Sequence, residues 1–523
     1  MAEEDKGNPW LVAFAVSLAT FMEVLDTTIT NVSLSHIGGS LAASQEESTW
    51  VMTSYLVSNA IILPISGWIA SVIGRKKYFM FCIAGFTIAS FFCGAATSLW
   101  MIIVFRLMQG VAGGGLQPTQ QAIMLDTFTP DKRAQAFAIT AVTMIVAPVI
   151  GPTLGGFITD NFSWRWIFFI NIPVGLFALF LVNRVYHEKF EKPAKGSFSV
   201  DYLGFSLIAL GIGAIQIVLD KGQQDDWYGS DFITSLTVMS IVMLTFACWW
   251  LLRQKNPLVE LRLFKIPSFR MACILVFFMG FVLYGSSLLM PLLVQSYFGY
   301  NATLSGLILS PGALAIIIMM PLSTRMVKFF APKYLIALGF FLCGLGIWYT
   351  KHFSPDTNMM TFVSMRILTV MGLPFLFIPI SMLAFGEVPK QLNNKASALY
   401  SLCRNLGGSF GIALIATYLA RHQQIWQTYL SGTLSPYSIA TQQALASKTA
   451  ALTAVGTAPG AAAAQAQGQL YSELLQQSGF MAYVDSFGMM AAVMFLMSFL
   501  TLLTRSPKKP AAADAAAALE SAH

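Results

Sequence analysis

Apolar runs of about twenty residues recur along almost the whole chain. Wound as a helix, such a run crosses a hydrocarbon layer roughly 30 Å thick. Lipid offers no hydrogen bonds, so only helices or closed barrels leave no backbone group unpaired there. The pattern predicts an all-α polytopic membrane protein. Of its 523 residues, 56% are hydrophobic and 11% charged, against about 25% charged in ordinary soluble domains. Fourteen spans are expected, at about 10–33, 48–72, 78–97, 99–122, 135–158, 166–186, 201–220, 232–252, 269–293, 303–325, 334–352, 361–386, 396–419 and 481–503.

The net charge of +7 raises nucleic acid as a partner, and the distribution of that charge argues against it. Under this span list, 23 basic residues fall in alternate loops on one side, from Lys6 and Arg75-Lys76-Lys77 through Lys189, Lys192 and Lys195 to Arg505, Lys508 and Lys509. The other side holds Arg165, Lys221, Lys351, Arg421 and Lys448, while Arg106, Arg366 and Arg404 lie inside spans. Lys and Arg accumulate on the cytoplasmic side, so both termini are expected inside. No cleavable signal peptide is expected, because the first span is too long for one. The six Cys all fall in apolar stretches without CxxC spacing, which reads as core packing rather than metal or disulfide chemistry. The tail from Pro510 to His523 is Ala-rich.

An internal repeat organises the chain. Arg106 in span four and Arg366 in span twelve each lie about two turns from the outer end of their helix, and each helix is followed by a Pro-containing inner loop, Pro130-Asp131-Lys132-Arg133 and Pro389-Lys390-Gln391. This predicts an N-terminal six-helix bundle over 1–186, a two-helix insert with cytoplasmic linkers over 187–268, and a C-terminal six-helix bundle over 269–523. An even insert keeps both bundles in one orientation, a recurrent plan for transporters with a midplane site. The insert helices read as a lateral wall or clamp. The outer segment 421–480 is rich in Ala, Gln and Ser. Thr441–Leu452 and Gly468–Gln477 have helix-forming composition, broken at Ala458-Pro459-Gly460. A flexible loop and a docking surface for a periplasmic partner are both open for it.

Glu23 and Asp26 stand three residues apart in the first span, with Thr30 four further on, so they share one helix face. Ionisable groups inside a membrane are expensive and mark function by default. Asp26 is expected about seven residues, roughly 10 Å, below the outer end of its span, at the depth of Arg106. Burial disfavours charge on the acids and Arg106 favours it, and groups so coupled titrate as a unit. A proton exchanged near physiological pH is expected; a static ion pair is the plainer alternative. Span five holds Pro148, Gly151, Pro152, Gly155 and Gly156, where prolines remove donors and small residues allow close approach, as a bendable seam requires. The loop after span two, Gly67 to Lys77, brings Gly74 and Arg75 to a cytoplasmic helix end.

These motifs resemble the major facilitator superfamily, within its fourteen-span drug:proton antiporter group. Gly67–Lys77 is similar to the loop 2–3 signature, Arg106-Leu-Met-Gln109-Gly110 to the span-four signature, Pro148–Gly156 to the antiporter signature, and Leu25–Val32 to the first-span signature of the group. Trp164–Pro173 and Arg404–Ser409 fit the same group. Ser71 stands where the loop signature usually has an acid, which puts a charge relay through that loop in doubt and leaves gating to Arg75 and its packing. The outer segment makes the chain most similar to EmrB-type exporters. The resemblance implies a pump of the bacterial inner membrane working with a periplasmic adaptor and an outer-membrane channel.

The chain has no Walker P-loop, GxSxG or HExxH, so it reads as a secondary active transporter rather than an enzyme, with no cofactor or metal. Tyr55, Asn59, Gln109, Gln117, Gln120, Tyr284, Gln295 and Asn405 are the expected polar groups of a substrate cavity. Met and Phe side chains suit varied lipophilic guests, cationic or neutral rather than polyanionic. The expected activity is export of lipophilic compounds in exchange for protons. A dedicated metabolite, lipid or siderophore transporter, and a non-transporting sensor or scaffold, are the alternatives.

Overall fold

The computed structural model describes residues 8–188, 201–435 and 437–503. Lys6, Lys189, Lys192, Lys195, Arg505, Lys508, Lys509 and the tail from Pro510 lie outside the described residues. The main helices are α1 (Pro9–Ser40), α2 (Trp50–Ile73), α3 (Arg75–Ala95), α4 (Leu99–Gly113), α5 (Leu116–Thr127), α6 (Arg133–Asn161), α7 (Asn171–Val185), α8 (Tyr202–Lys221), α9 (Asp231–Arg253), α10 (Pro267–Phe298), α11 (Ala302–Met326), α12 (Pro332–Trp348), α13 (Met359–Met371), α14 (Leu373–Phe385), α15 (Asn393–Thr433), α16 (Ile439–Ala454) and α17 (Pro459–Leu503). No strand occurs among the described residues. Polar caps start several helices: Asn8, Ser98, Asn301 and Asn358 accept from backbone N–H groups of their first turns.

Thirteen helices among the described residues are long and apolar enough to cross a membrane, counting α4 with α5 and α13 with α14 as single crossings. The remaining expected span, about 396–419, lies inside α15. That helix has the length to cross, but Asn393, Asn394, Arg404 and Asn405 dilute its hydropathy. The two Arg-bearing crossings are interrupted alike: the first breaks at Gly114–Gly115, after Arg106, and the second at Gly372, after Arg366.

Two long pairings join the first six crossings to the last six. α6 packs along α11 and touches α14, while α15 packs along α2 and α5. Toward the end expected to face outward, Thr153 and Ser310 are hydrogen-bonded at 2.7 Å and Thr303 donates to Asp160 at 2.8 Å. Toward the end expected to face inward, Asn393 donates to Asp126 at 3.0 Å, and Phe137 stacks on Phe385 with centroids 6.0 Å apart. A Cβ at Gly67 would meet the Asn394 carbonyl carbon at 2.8 Å, so only glycine lets α2 approach α15 there. The seam is thus in contact at both ends.

The insert bridges the same seam. α8 packs on both α2 and α15. Gln216 donates to Ser409 at 3.0 Å, Thr53 donates to Asp220, and Trp227 donates to Thr417 at 3.0 Å. α9 packs mainly on α8 and leaves Val238, Ile241, Val242 and Trp249 exposed, as a lipid-facing helix would.

The outer segment is helical rather than a flexible loop. α15 spans 41 residues and α17 spans 45, roughly twice the length a bilayer requires. Their Ala- and Gln-rich stretches sustain the helix after the apolar pattern ends. The break falls at 455–458, with Gly456 at φ 95° and Pro459 opening α17. Asp485 fastens the base, accepting from Trp426 at 2.7 Å and facing His422 at 3.0 Å. Lys448 pairs with Glu473 at 2.5 Å farther out.

Candidate functional site

α1 carries Glu23 and Asp26 on one face, 2% and 1% exposed. Asp26 Oδ2 accepts from Arg106 Nη1 at 2.6 Å, while Oδ1 accepts from Asn171 Nδ2 at 2.6 Å and Gln109 Nε2 at 3.1 Å. Arg106 is held in turn: Nη1 donates to Gln109 Oε1 at 2.8 Å, Nε donates to the Val51 carbonyl at 3.1 Å, and the guanidinium lies 4.4 Å from the Tyr55 ring centroid. Asp26 therefore has a full positive partner and two amide donors. Thr30 turns away, donating to the Asp26 backbone carbonyl at 2.7 Å.

Glu23 has a different environment. Its Oε1 accepts from Tyr55 Oη at 2.8 Å and Asn59 Nδ2 at 3.3 Å, and its Oε2 from Gln117 Nε2 at 2.7 Å. These donors are all neutral. A guanidinium comes in one amide away: Arg404 on α15 donates to Gln117 Oε1. Gln117 thus ties an acid of the first span to a cation of the thirteenth. Tyr55 couples the two acids, its hydroxyl on Glu23 and its ring against Arg106.

Other expected cavity residues are dispersed. Gln120 donates to Ser17 at 2.8 Å and leaves its buried Oε1 without a protein partner. Tyr284 is half-buried with its ring against Gly408. Asn405 is half-buried, and its Oδ1 has no protein partner. Gln295 is exposed, three residues from the end of α10 and beyond the expected end of its span, so it falls outside the cluster. The depth estimate for Asp26 needs a correction. α1 continues to Ser40, so Asp26 lies roughly 20 Å from its outer end, and it meets Arg106 because α1 protrudes beyond the neighbouring helices.

The expected gating residues divide between two places. α6 is unbroken with Pro148 and Pro152 inside it. Gly151 backs onto α1, where an added Cβ would meet Thr28 Oγ1 and lie 2.7 Å from Thr28 Cβ. Gly155 abuts Ile29 on the same helix, and Gly156 is buried and accepts from Thr159 at 3.1 Å. Gly151 and Gly155 pack α6 against α1 beside Asp26; between them, Thr153 meets α11. At the inner end Gly74 joins α2 to α3 at φ 91°. Arg75 pairs with Asp126, and its backbone N–H donates to Glu188 at 3.0 Å. Ser71 donates to its own helix at Trp68, 2.7 Å away, so the loop's counter-charges come from Asp126 and Glu188.

Sequence reasoning missed Asn171 and Arg404 as members of the cluster. Arg404 carried a usable signal, being a cation inside a span. Asn171 carried little beyond its motif, since its bond to Asp26 depends on how α7 packs on α1.

The Major Facilitator Superfamily pattern matches residues 16–412. The chain is 34% identical over 443 residues to the multidrug export protein EmrB of Escherichia coli (strain K12), covering 84% of this chain and 86% of that one. It is 32% identical over 507 residues to the probable multidrug resistance protein EmrY of the same organism, covering 96% of each. Among solved structures, the proton:xylose symporter XylE superposes with a TM-score of 0.59 over 98% of both chains at 13% identity, a likeness of fold alone. Family pattern, relatives and fold agree: the chain belongs to the Major Facilitator Superfamily.

Proposed function

We propose that this chain is a proton-coupled antiporter that exports lipophilic drugs and toxic compounds across the bacterial inner membrane. The observation that carries the reading is the buried pair Glu23 and Asp26, met by Arg106 directly and by Arg404 through Gln117. Asp26 keeps a guanidinium, whereas Glu23 is met by neutral donors, so Glu23 is the group assigned to proton exchange. Ionised, it accepts the Gln117 amide N–H and turns the amide oxygen toward Arg404. Protonated, it becomes a donor; the amide is then free to turn, and the tie between α1 and α15 weakens. The units that move apart are taken as 1–186 and 269–523, with 187–268 as a clamp along the seam. Gly151, Gly155 and the α6–α11 contact would transmit motion outward, and Arg75 with Asp126 would latch the inner end. Tyr55, Asn59, Gln109, Gln117, Gln120, Tyr284 and Asn405 are proposed to face substrate during the cycle.

The names of the relatives support the substrate class. Both termini are assigned to the cytoplasm on the Lys and Arg asymmetry. The projection of α15, α16 and α17, with Tyr429, Tyr437, Ile439 and Val455 exposed, is the proposed docking site for a periplasmic adaptor and, through it, an outer-membrane channel. The reading is tested by dye efflux in everted vesicles driven by a pH gradient. Wild-type protein should transport and Asp26→Asn should not; equal efflux would remove Asp26 from the mechanism. Removing residues 434–458 should spare vesicle transport and abolish cellular resistance if the projection docks an adaptor, and should spare both if it does not.

A further inference from the structure

One face of α10 has the polarity of a membrane lipid, charged at one end and apolar along the rest. Arg270, Cys273, Ile274, Phe277 and Phe278 recur at helical spacing on a single side. From Arg270 to Phe278 the stripe runs roughly 12 Å along the helix, starting in the first turn at the end expected to face inward. Arg270 is exposed, and among the described residues no hydrogen bond or ion pair engages its side chain. Ile274 is 46% exposed, so the stripe opens toward the hydrocarbon.

A groove of about 380 Å³ runs along this stripe, within the roughly 300–1,000 Å³ of small-molecule sites. Cys403 lines it from α15, and Phe264 lines it from the short 3-10 turn Leu261–Lys265 that precedes α10. That turn is fastened: Arg262 donates to the Gln254 carbonyl at 2.9 Å, and the Phe264 ring lies 5.8 Å from that of Phe269. Of the residues lining the groove, Arg270 alone is charged. Lys265 is exposed five residues earlier. An apolar trough with a cation at its rim complements an acyl chain joined to an anionic headgroup, and basic sites between helices on the cytoplasmic side hold such headgroups. The groove also lies behind the coupling cluster. α10 and α15 approach so closely that a Cβ at Gly407 would lie 2.7 Å from the Phe277 carbonyl carbon, and one at Gly280 would lie 3.2 Å from that of Arg404. Phe277 lines the groove and Cys403 precedes Arg404, so an occupant would brace the contact that positions Arg404.

We propose that this groove holds an anionic glycerophospholipid of the cytoplasmic leaflet as a resident lipid, its phosphate on Arg270 and one acyl chain along Ile274, Phe277 and Cys403. The guanidinium fork matches a phosphate in a bidentate manner. The lipid is a fixed component of the bundle and not an exported guest. Its leaflet follows from the expected orientation of the chain, while its binding does not depend on the transport reading. Phosphatidylglycerol and phosphatidylcholine with the same acyl chains are offered to the purified full chain in detergent, and bound lipid is counted by native mass spectrometry. Neither a gradient nor a guest is present, so failed proton coupling would leave the result untouched.

Wild type should retain one phosphatidylglycerol about fivefold more tightly than phosphatidylcholine, the factor one basic contact at a membrane surface gives. Arg270→Gln should reduce that preference below about twofold, and Arg270→Lys should keep most of it. Arg253→Gln, which removes another cation of the surface expected to face inward, should leave the preference unchanged. Phosphatidylglycerol should also raise the melting temperature of wild type more than phosphatidylcholine does, and Arg270→Gln should lose that difference. Cys403→Leu, which narrows the groove, should lower retention of both lipids; should it not fold, the charge variants still decide. A wild type without the preference would overturn the proposal, as would an Arg253→Gln protein that loses as much of it as Arg270→Gln. Displacement of the lipid by an equal concentration of glycerol 3-phosphate would mark a plain anion site, and one-for-one displacement by a lipophilic dye would mark a guest site; either result also overturns it.

Discussion

Glu23 and Asp26 differ by one neighbour. Asp26 has a guanidinium at 2.6 Å, while Glu23 has a tyrosine and two amides. Glu23→Gln keeps the size and one acceptor oxygen but cannot exchange a proton. It should reduce gradient-driven dye efflux to background while dye binding to the purified protein changes by no more than about twofold, a few tenths of a kcal/mol. Asp26→Asn leaves Arg106 buried without its carboxylate, a loss of about 3–5 kcal/mol for a broken buried pair. Adding Arg106→Gln removes the second charge too, so the double variant should melt above Asp26→Asn alone yet remain inactive in efflux. A double variant no more stable than the single one would deny that the two act as a pair. The sequence made this pairing legible because acids and arginines inside apolar runs are rare and have few possible partners. The bond from Asn171 and the bridge through Gln117 were not legible, because each depends on packing between helices distant in sequence.

At the scale of elements, hydropathy located the crossings and misjudged their ends. α1, α10, α15 and α17 outrun their apolar runs, since hydropathy reports where lipid stops and helix propensity reports where the helix stops. The outer hairpin was half legible in the same way: its Ala and Gln content pointed to helix, while nothing in it declared what it packs against. α15 shows the converse, a crossing that the sequence placed at about 396–419 although Arg404 and Asn405 dilute its hydropathy. The glycines of α6 belong to this scale as well. Their string predicted a close approach, and the structure gives the partner as α1 at Thr28 and Ile29. Gly151→Ala should destabilise by about 1–3 kcal/mol, the usual cost of overpacking, and slow efflux. Thr28→Ala in the same chain should recover part of both, read by melting temperature and vesicle transport; an unperturbed Gly151→Ala protein would show that the contact yields easily.

The whole molecule has a seam crossed at both ends, by α6 with α11 and by α2 with α15, and spanned along its side by α8. The repeat of Arg106 and Arg366 foreshadowed that symmetry, but the clamp contacts of Gln216, Asp220 and Trp227 had no signature in the sequence. Alternating exposure requires one end to open while the other stays shut. Cysteines at Thr153 and Ser310, whose hydroxyls lie 2.7 Å apart, should cross-link under oxidant and halt efflux, and reductant should restore it; transport through the cross-linked protein would mean that this end need not part. The whole account turns on a proton leaving the buried acids when a guest binds. That is measured directly with purified protein in lightly buffered solution near neutral pH, following a pH indicator as a lipophilic dye is added. Wild type should release protons in proportion to dye bound, and Glu23→Gln and Asp26→Asn should together abolish the release. Dye binding to wild type without proton release, or equal release from the double variant, would contradict the account.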